Sequence, residues 1–445
     1  MKNIFSKNEI LISCSSLRSI NLKTSKFVSR KNTNFTMNDE LFLLLSKKIN
    51  QLIEKNASKI AERVKKKFRN GKKTDLNRMV VEVLMARRYR GGTRESSGFD
   101  ILYQKVSDRI KENLPIRLTI SLFPCKIPNL LKSADLLPDL ADLASLARLK
   151  EICLAVKYIY PVGAKFIVLM DGYRFKQILN FPDEIINKYQ TTLLLFSKHL
   201  NLEGYVELVD YVKTLDKFLP EEIKFEKRKI FLKTRANYTK MFGKYINLKD
   251  PLLNISKILS SAKDKELANK FIALYMSLIY CIYVHEIKSS KDKDNLTLHV
   301  FEDIFNFKNS SEKINILRQK IVHDTWSFTI NYISEIVSGR LTKPVEYIYP
   351  DSIRCDMHNI IDRLTLYPIN RSTKLSSFHG SGYVGKNFDI NVGFRIMLTT
   401  KGYLPVYGKI FNSNYSHQPF FYLDPILTER FDKFDKNFIE ALQIK

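Results

Sequence analysis

Four side chains stand where chemistry is usually done: Lys126, Asp171, Arg354 and His358. The run Ile116 to Phe123 is apolar and β-branched and ends at Pro124, which predicts a buried strand with Lys126 just past its end. The run Lys165 to Met170 reads the same way and ends at Asp171-Gly172. Ligands of open parallel sheets bind beyond the carboxyl ends of the strands, so an amine and a carboxylate are expected in that place. Arg354 and His358 close a third run, Ser352 to Met357. Four residues apart on an extended strand, they share a face about 13 Å apart. Cations of this kind hold phosphates or carboxylates, a carboxylate takes up a proton, and imidazole moves protons near neutral pH. Each residue also has a plain structural reading: a turn former for Asp171, a surface amine for Lys126, a hydrogen-bonded core histidine for His358.

Strand, helix and strand must position these groups. Pro138-Asp139 opens a helix whose apolar positions, from Leu140 to Ile152, fall on one broad face. With the two flanking strands it makes a βαβ unit, and Tyr205 to Val209 is a third strand ending at Asp210. The fold class expected is α/β, a Rossmann-like, mainly parallel sheet with an N-terminal helical region and a large helical insertion. Residues 1–37 are set aside as a basic, Ser- and Asn-rich leader, a targeting segment or a stretch preceding a start at Met37. Residues 38–112 form the helical region. The core runs over 113–426 with the insertion at about 221–340, and 427–445 is a C-terminal helix or tail. Within the core, Glu346 to Tyr349 reads as a short strand, and Asp389 to Thr399 with Tyr403 to Phe411 reads as a hairpin about Lys401-Gly402.

The 445 residues carry 73 Lys or Arg against 46 Asp or Glu, a formal charge of +27. Such a balance suits a basic nucleic-acid-binding α/β protein without catalysis, but the charges are spread over many polar faces, so nucleic acid is not the expected partner. Five cysteines without C-x-x-C spacing point away from disulfides and zinc and towards a reducing, cytoplasmic setting. The longest apolar run, Phe271 to Val284, is too short for a membrane span of about 20 residues. No His or Cys pair has metal-ligand spacing, so no metal is expected, and no G-x-S-x-G, Walker or G-x-G-x-x-G pattern occurs.

Four segments, in order, resemble one family. They are F-P-C-K-I-P-N (Phe123 to Asn129), L-P-D-L-A-D (Leu137 to Asp142), Y-P-V-G-A with the following L-M-D-G-Y-R-F (Tyr160 to Phe175), and P-D-S-I-R-C-D-M-H (Pro350 to His358). The isocyanide (isonitrile) synthases of the pyoverdine/dityrosine biosynthesis proteins show F-P-x-K-S-P-N, L-P-D-x-A-E, Y-P-x-G-A, S-D-G-x-x-F and P-x-x-I-R-L-S-I-H-P in this order. The resemblance covers roughly Asn38 to Phe411. It implies a Rossmann-like core and conversion of the amino group of tyrosine or tryptophan to an isonitrile. Ribulose 5-phosphate would be the carbon donor, with no cofactor. A related reading within the family is an N-formyl-tyrosine, dityrosine-type enzyme. Carried over residue by residue, it implies Lys126, Asp171 and His358 as catalytic groups. Arg354, Lys126, Asn129 and Tyr407 are the implied substrate- or phosphate-binding groups. It also implies a downstream Fe(II)/2-oxoglutarate-dependent oxygenase as a partner. The chain departs from the pattern at Met170, in place of serine, at Asn359, in place of proline, and at Val406-Tyr407, where many members have W-H.

Overall fold

The structure is a computed structural model that describes residues 35–69, 75–91, 99–126, 133, 136–176, 182–247, 251–261, most of 265–279, 312–357, 363–367, 369, 377–411, 413–415 and 418–444. Strand β1 (Thr36–Met37) leads into α1 (Asp39–Arg69), α2 (Leu76–Leu84) and α3 (Phe99–Lys111). The βαβ unit follows as β2 (Ile116–Leu122), α4 (Leu140–Lys157) and β3 (Ala164–Met170). Then come α5 (Asp183–His199), β4 (Val206–Asp210) and α6 (Tyr211–Phe218). The insertion contains α7 (Glu221–Phe242), α8 (Pro251–Ser261) and α9 (Glu312–Thr342), and leads to α10 (Pro344–Ile348). The chain ends with β5 (Ile353–Asp356), β6 (Leu364–Thr365), β7 (Ser381–Val384), β8 (Ile390–Gly393), α11 (Arg395–Thr400), β9 (Leu404–Ile410), β10 (Ser413–Tyr415), β11 (Phe421–Leu423), α12 (Pro425–Thr428) and α13 (Lys436–Ala441).

One sheet is wholly parallel, in the order β4-β3-β2-β5-β6. Its centre is apolar because β2 and β3 are covered on both faces, as a near-continuous aliphatic run requires. Strands β3 and β4 build outward from β2 on one side and β5 and β6 on the other, so the order reverses between β2 and β5. That crevice is the switch point at which such sheets bind ligands.

Helix α4 is buried along almost its whole length. It packs on β3 on one side and on β7 and β8 on another, with α1 alongside. A helix so enclosed must pair its charged residues internally. Arg148 bonds Glu151 and the Ile369 carbonyl, Arg88 reaches Glu151 from outside, and Lys150 donates to the Leu200 carbonyl.

The second sheet is mixed, in the order β1-β9-β11-β7-β8 with β10 on β9. It corrects four expectations. The predicted hairpin does not form: β8 pairs with β7, β9 pairs with β1, β10 and β11, and residues 395–400 between them are helical. Lys401-Gly402 caps that helix rather than turning a hairpin, since Gly402 has φ +78°. The tail is two short helices split by 429–435, not one, and its Phe434, Phe438 and Ile439 are core residues. Thr36–Met37, set aside with the leader, pairs with β9, where a Cβ on Gly408 would lie 2.0 Å from the Met37 carbonyl oxygen. In the first sheet, Glu346 to Tyr349, expected as a strand, is mostly helix α10, which Pro344 at its first turn favours.

The insertion has its own apolar cluster, in which Trp326 stands edge-on to Phe271 and Tyr275. Helices α7 and α9 pack along each other, and Phe175, in the turn after β3, stacks on Tyr332 of α9 with ring centroids 4.9 Å apart.

The second sheet meets helix α4 at Gly382 of β7. A Cβ there would lie 2.6 Å from the Ala141 nitrogen and 2.8 Å from the Leu140 Cβ, both at the start of α4. Gly382→Ala is expected to cost about 1–3 kcal/mol by overpacking, read as a lower urea midpoint with an unchanged m-value.

Candidate active site

The carboxyl ends of β2, β3 and β4, with Arg354 from within β5, supply the site. Just past β2, Phe123 and Cys125 both have positive φ, 59° and 83°, on either side of Pro124. Left-handed non-glycine residues are held only when their surroundings over-determine them, and here Lys126 supplies the anchor. Its ammonium is fully buried, lies 2.5 Å from Asp139 Oδ2 and 3.4 Å from Asp142 Oδ2, and donates to the Gly380 carbonyl at 2.7 Å. The same carboxylates cap α4: Asp139 Oδ1 accepts from the Ala141 nitrogen, and Asp142 Oδ2 from the Asp139 nitrogen. Asp139 Oδ2 also accepts from the Gly382 nitrogen, and Tyr189 donates to Asp142 Oδ1. One ammonium thus faces two buried carboxylates, and burial pushes Asp139 up to about 6 despite its cation.

Asp171 is bound to β2 by its backbone, which donates to the Leu122 carbonyl. Burial pushes its carboxyl up to about 6, against the opposing pull of Arg174 and Arg354. Arg174 Nη1 lies 3.5 Å from Asp171 Oδ1, and its Nε donates to Glu335 Oε1 at 2.9 Å. Its guanidinium lies over the rings of Tyr211, at 4.5 Å, and Phe175, at 5.1 Å. Lys227 of α7 donates to both Glu335 oxygens, at 2.8 and 2.9 Å. Burial works to raise Glu335, but the two cations carry it below its usual value. Gly339 of α9 makes room for this arrangement, because a Cβ there would lie 2.8 Å from Arg174 Nη2.

Arg354 spans the switch point. It stands opposite Thr119 across β5 and β2, and its Nη2 donates to Ser121 Oγ at 2.8 Å. Glu346 lies 3.9 Å from its Nε, yet Nε and Nη1 are buried with no hydrogen-bond acceptor among the described residues. Burial lowers its pKa, and Arg363, itself held by Asp356 and Glu346, lowers it further. Buried guanidinium N–H groups left in this way are matched to an anion that completes them.

The structure therefore brings Asp171 and Arg354 together and holds Lys126 within an ion triad. Tyr407 lies on β9 of the second sheet, in register with Thr36 and within electrostatic reach of Tyr422. Asn129 and His358 lie outside the described residues, and β5 ends at Asp356, short of His358. Sequence reading missed Ser121, Tyr211, Lys227 and Glu335. Arg174, three residues after Asp171 in a quoted motif, was visible there, whereas Glu335 lies 161 residues from Arg174 and has no local signal. Among the described residues no group of three or more His, Cys, Asp or Glu is placed to hold a metal, and no helix is long and apolar enough to cross a membrane. Burial pushes the thiols of Cys125, Cys153 and Cys355 upward, away from nucleophilic use.

The family described as "Pyoverdine/dityrosine biosynthesis protein" matches residues 106–321. An L-tyrosine isonitrile synthase of Xenorhabdus nematophila is 29% identical over 99 residues, 22% of this chain and 30% of that protein. The L-tryptophan isonitrile synthase AmbI2 of Fischerella ambigua is 29% identical over 101 residues, 23% of this chain and 31% of that protein. The matched region thus spans under a third of the length of these relatives. The crystal structure of the PvcA protein from Pseudomonas aeruginosa superposes with a TM-score of 0.51 at 20% identity, covering 79% of this chain and all of that one. That similarity is one of fold.

Two outcomes follow from the buried charges. Lys126→Met leaves Asp139 and Asp142 without their cation and should cost about 3–5 kcal/mol near neutral pH. The loss should shrink at pH 4–5, where the raised Asp139 carboxyl takes up a proton, as urea titrations would read. Asp171 has a folded pKa above its unfolded value, so charging it opposes folding. Relative to Asp171→Asn, the unsubstituted protein should lose about 2–3 kcal/mol as pH rises from about 4 through about 6. Asp139 titrates in both proteins and cancels in the difference.

Proposed function

We propose that this chain, whose residues 106–321 match the pyoverdine/dityrosine biosynthesis family, is an isonitrile synthase that converts the amino group of an aromatic amino acid, tyrosine or tryptophan, with ribulose 5-phosphate as carbon donor. The observation that carries this reading is the pairing of a buried, protonatable Asp171, just past β3, with a buried Arg354 within β5 whose Nε and Nη1 meet no acceptor among the described residues.

The first step asks for both. The amino group attacks the donor's ketone as the free amine, so its ammonium gives up a proton to a base, and the carbinolamine loses water to form an imine when its oxygen is protonated. A carboxyl with a pKa of about 6 is partly charged near neutral pH and serves in either direction. Arg354 offers a bidentate hold to a phosphate or carboxylate, and burial strengthens that bond. In this reading His358, in the segment after β5, moves protons in the later fragmentation. Asn129 and Tyr407 remain proposed substrate contacts. Lys126 acts from behind, holding the β2 loop in place. The isonitrile product is then a substrate for the oxygenase that the resemblance implies.

The test is incubation of the full chain with ribulose 5-phosphate and a panel of amino acids, with mass spectrometry of the products. An isonitrile from tyrosine or tryptophan is expected. Asp171→Asn and Arg354→Ala should each lower its rate by about 100-fold or more while the protein stays folded by circular dichroism. A folded protein that forms no isonitrile from any aromatic amino acid overturns the assignment.

A further inference from the structure

Beyond the ends of β3 and β4, a cavity of about 560 Å³ lies between the parallel sheet and the insertion. Its size is that of a small-molecule site. Helix α6 gives it an apolar floor through Val212, Leu215 and Leu219, and α7 adds Phe231. The turn after β3 supplies Tyr173, Arg174 and Lys176, and α7 supplies Lys224, Lys227 and Arg228. The acids on the wall are Asp216 and Glu335, so the lining carries five cations against two carboxylates. Glu335 is also committed, since it accepts from both Arg174 and Lys227. Its charge is met inside the wall by those two cations, Lys176 is paired with Asp183 and Lys224 with Glu221, and Arg228 is the lining cation with no carboxylate partner among the described residues.

These features restrict the occupant. An organic cation meets a surplus of like charge. A bare inorganic anion leaves the apolar floor wet, and a neutral apolar molecule makes no use of the cations. We infer that the cavity binds an organic anion with an apolar body, the body on Leu215, Leu219 and Phe231 and the anionic group against Lys227 and Arg228 of the insertion. Because Arg174 forms part of the wall and also contacts Asp171, the cavity adjoins the proposed reacting carboxyl. The inference deepens the proposed function and rests on it in one respect: it assigns this cavity to the reactant with the apolar body. The insertion then does more than decorate the sheet. Its helix α7 supplies the groups that select the reactant.

The test is calorimetric titration of the full chain, without ribulose 5-phosphate, using 3-phenylpropionate as probe. Inorganic phosphate and the neutral 3-phenylpropanamide form the parallel arms. Saturable binding of 3-phenylpropionate is expected, at least about 10-fold tighter than either, as loss of a charge-assisted contact or of a buried ring would give. Arg228→Met and Phe231→Ala should each weaken it by about 10-fold, Arg228→Lys should restore part of it, and Lys229→Met, one position on and outside the lining, should change nothing. Equal affinity for the amide or for phosphate, no saturable binding, or unchanged affinity in both Arg228→Met and Phe231→Ala overturns the inference. The two readings fail separately. Binding as described with no isonitrile formed sinks the reaction and leaves the site, whereas turnover with an unchanged KM in Arg228→Met sinks the site and leaves the reaction.

Discussion

The ammonium of Lys126 ties three parts of the chain to one point. It joins the loop after β2, the amino-terminal end of α4 and the start of the second sheet through Asp139, Asp142 and Gly380. Each carboxylate has a second role, since Asp139 and Asp142 also cap α4 and Asp139 accepts from Gly382. In a low-dielectric interior such a triad tolerates little displacement, because a carboxylate that loses its cation is left buried and charged. Two positive-φ residues and Pro124 carry the chain into it. The triad therefore sets the exit of β2, and with it Ser121, which receives Arg354, and the Leu122 carbonyl, which receives the Asp171 backbone.

A second row of charges continues outward from the strand ends. Asp171, Arg174, Glu335 and Lys227 alternate in sign from β3 to the insertion. On the β5 side Glu346 lies between Arg354 and Arg363, and Asp356 holds Arg363. Alternation lets several charges stay buried at tolerable cost, since each is neutralised by its neighbour. Asp171 is the weak member. Its nearest cation is 3.5 Å away and shared with Glu335, so burial prevails and the carboxyl stays protonatable near neutral pH. The Arg354 guanidinium is the complementary case, a charge with more donors than acceptors among the described residues.

The matched segment, residues 106–321, contains the βαβ unit and most of the insertion but not β5 or the second sheet. Arg354 and Gly382 thus come from chain beyond it, and each completes something begun inside it: the switch-point crevice in one case, the ion triad in the other. The site is a product of the whole fold.

The sequence by itself determined the parts governed by local pattern. The β2–α4–β3 unit, the strand end bearing Asp171 and the strand bearing Arg354 were legible because apolar runs, caps and turn residues act over a few positions. The motif segments around Lys126 and Asp139 were legible as a resemblance, without the physical link between them. Pairing in the second sheet was not legible, because the alternation in Asp389 to Phe411 suits a hairpin as well as two strands with other partners, and only packing on α4 and β1 separates these outcomes. The roles of Glu335, Lys227 and Gly339 were likewise decided by tertiary structure. Glu335 and Gly339 meet Arg174, and Lys227 meets Glu335, from more than 50 residues away, and a charge on a helix face looks the same in sequence whether it meets water or a buried ion. That same difference moved Lys126: the sequence placed it beyond a strand end, and the fold enclosed it between two carboxylates.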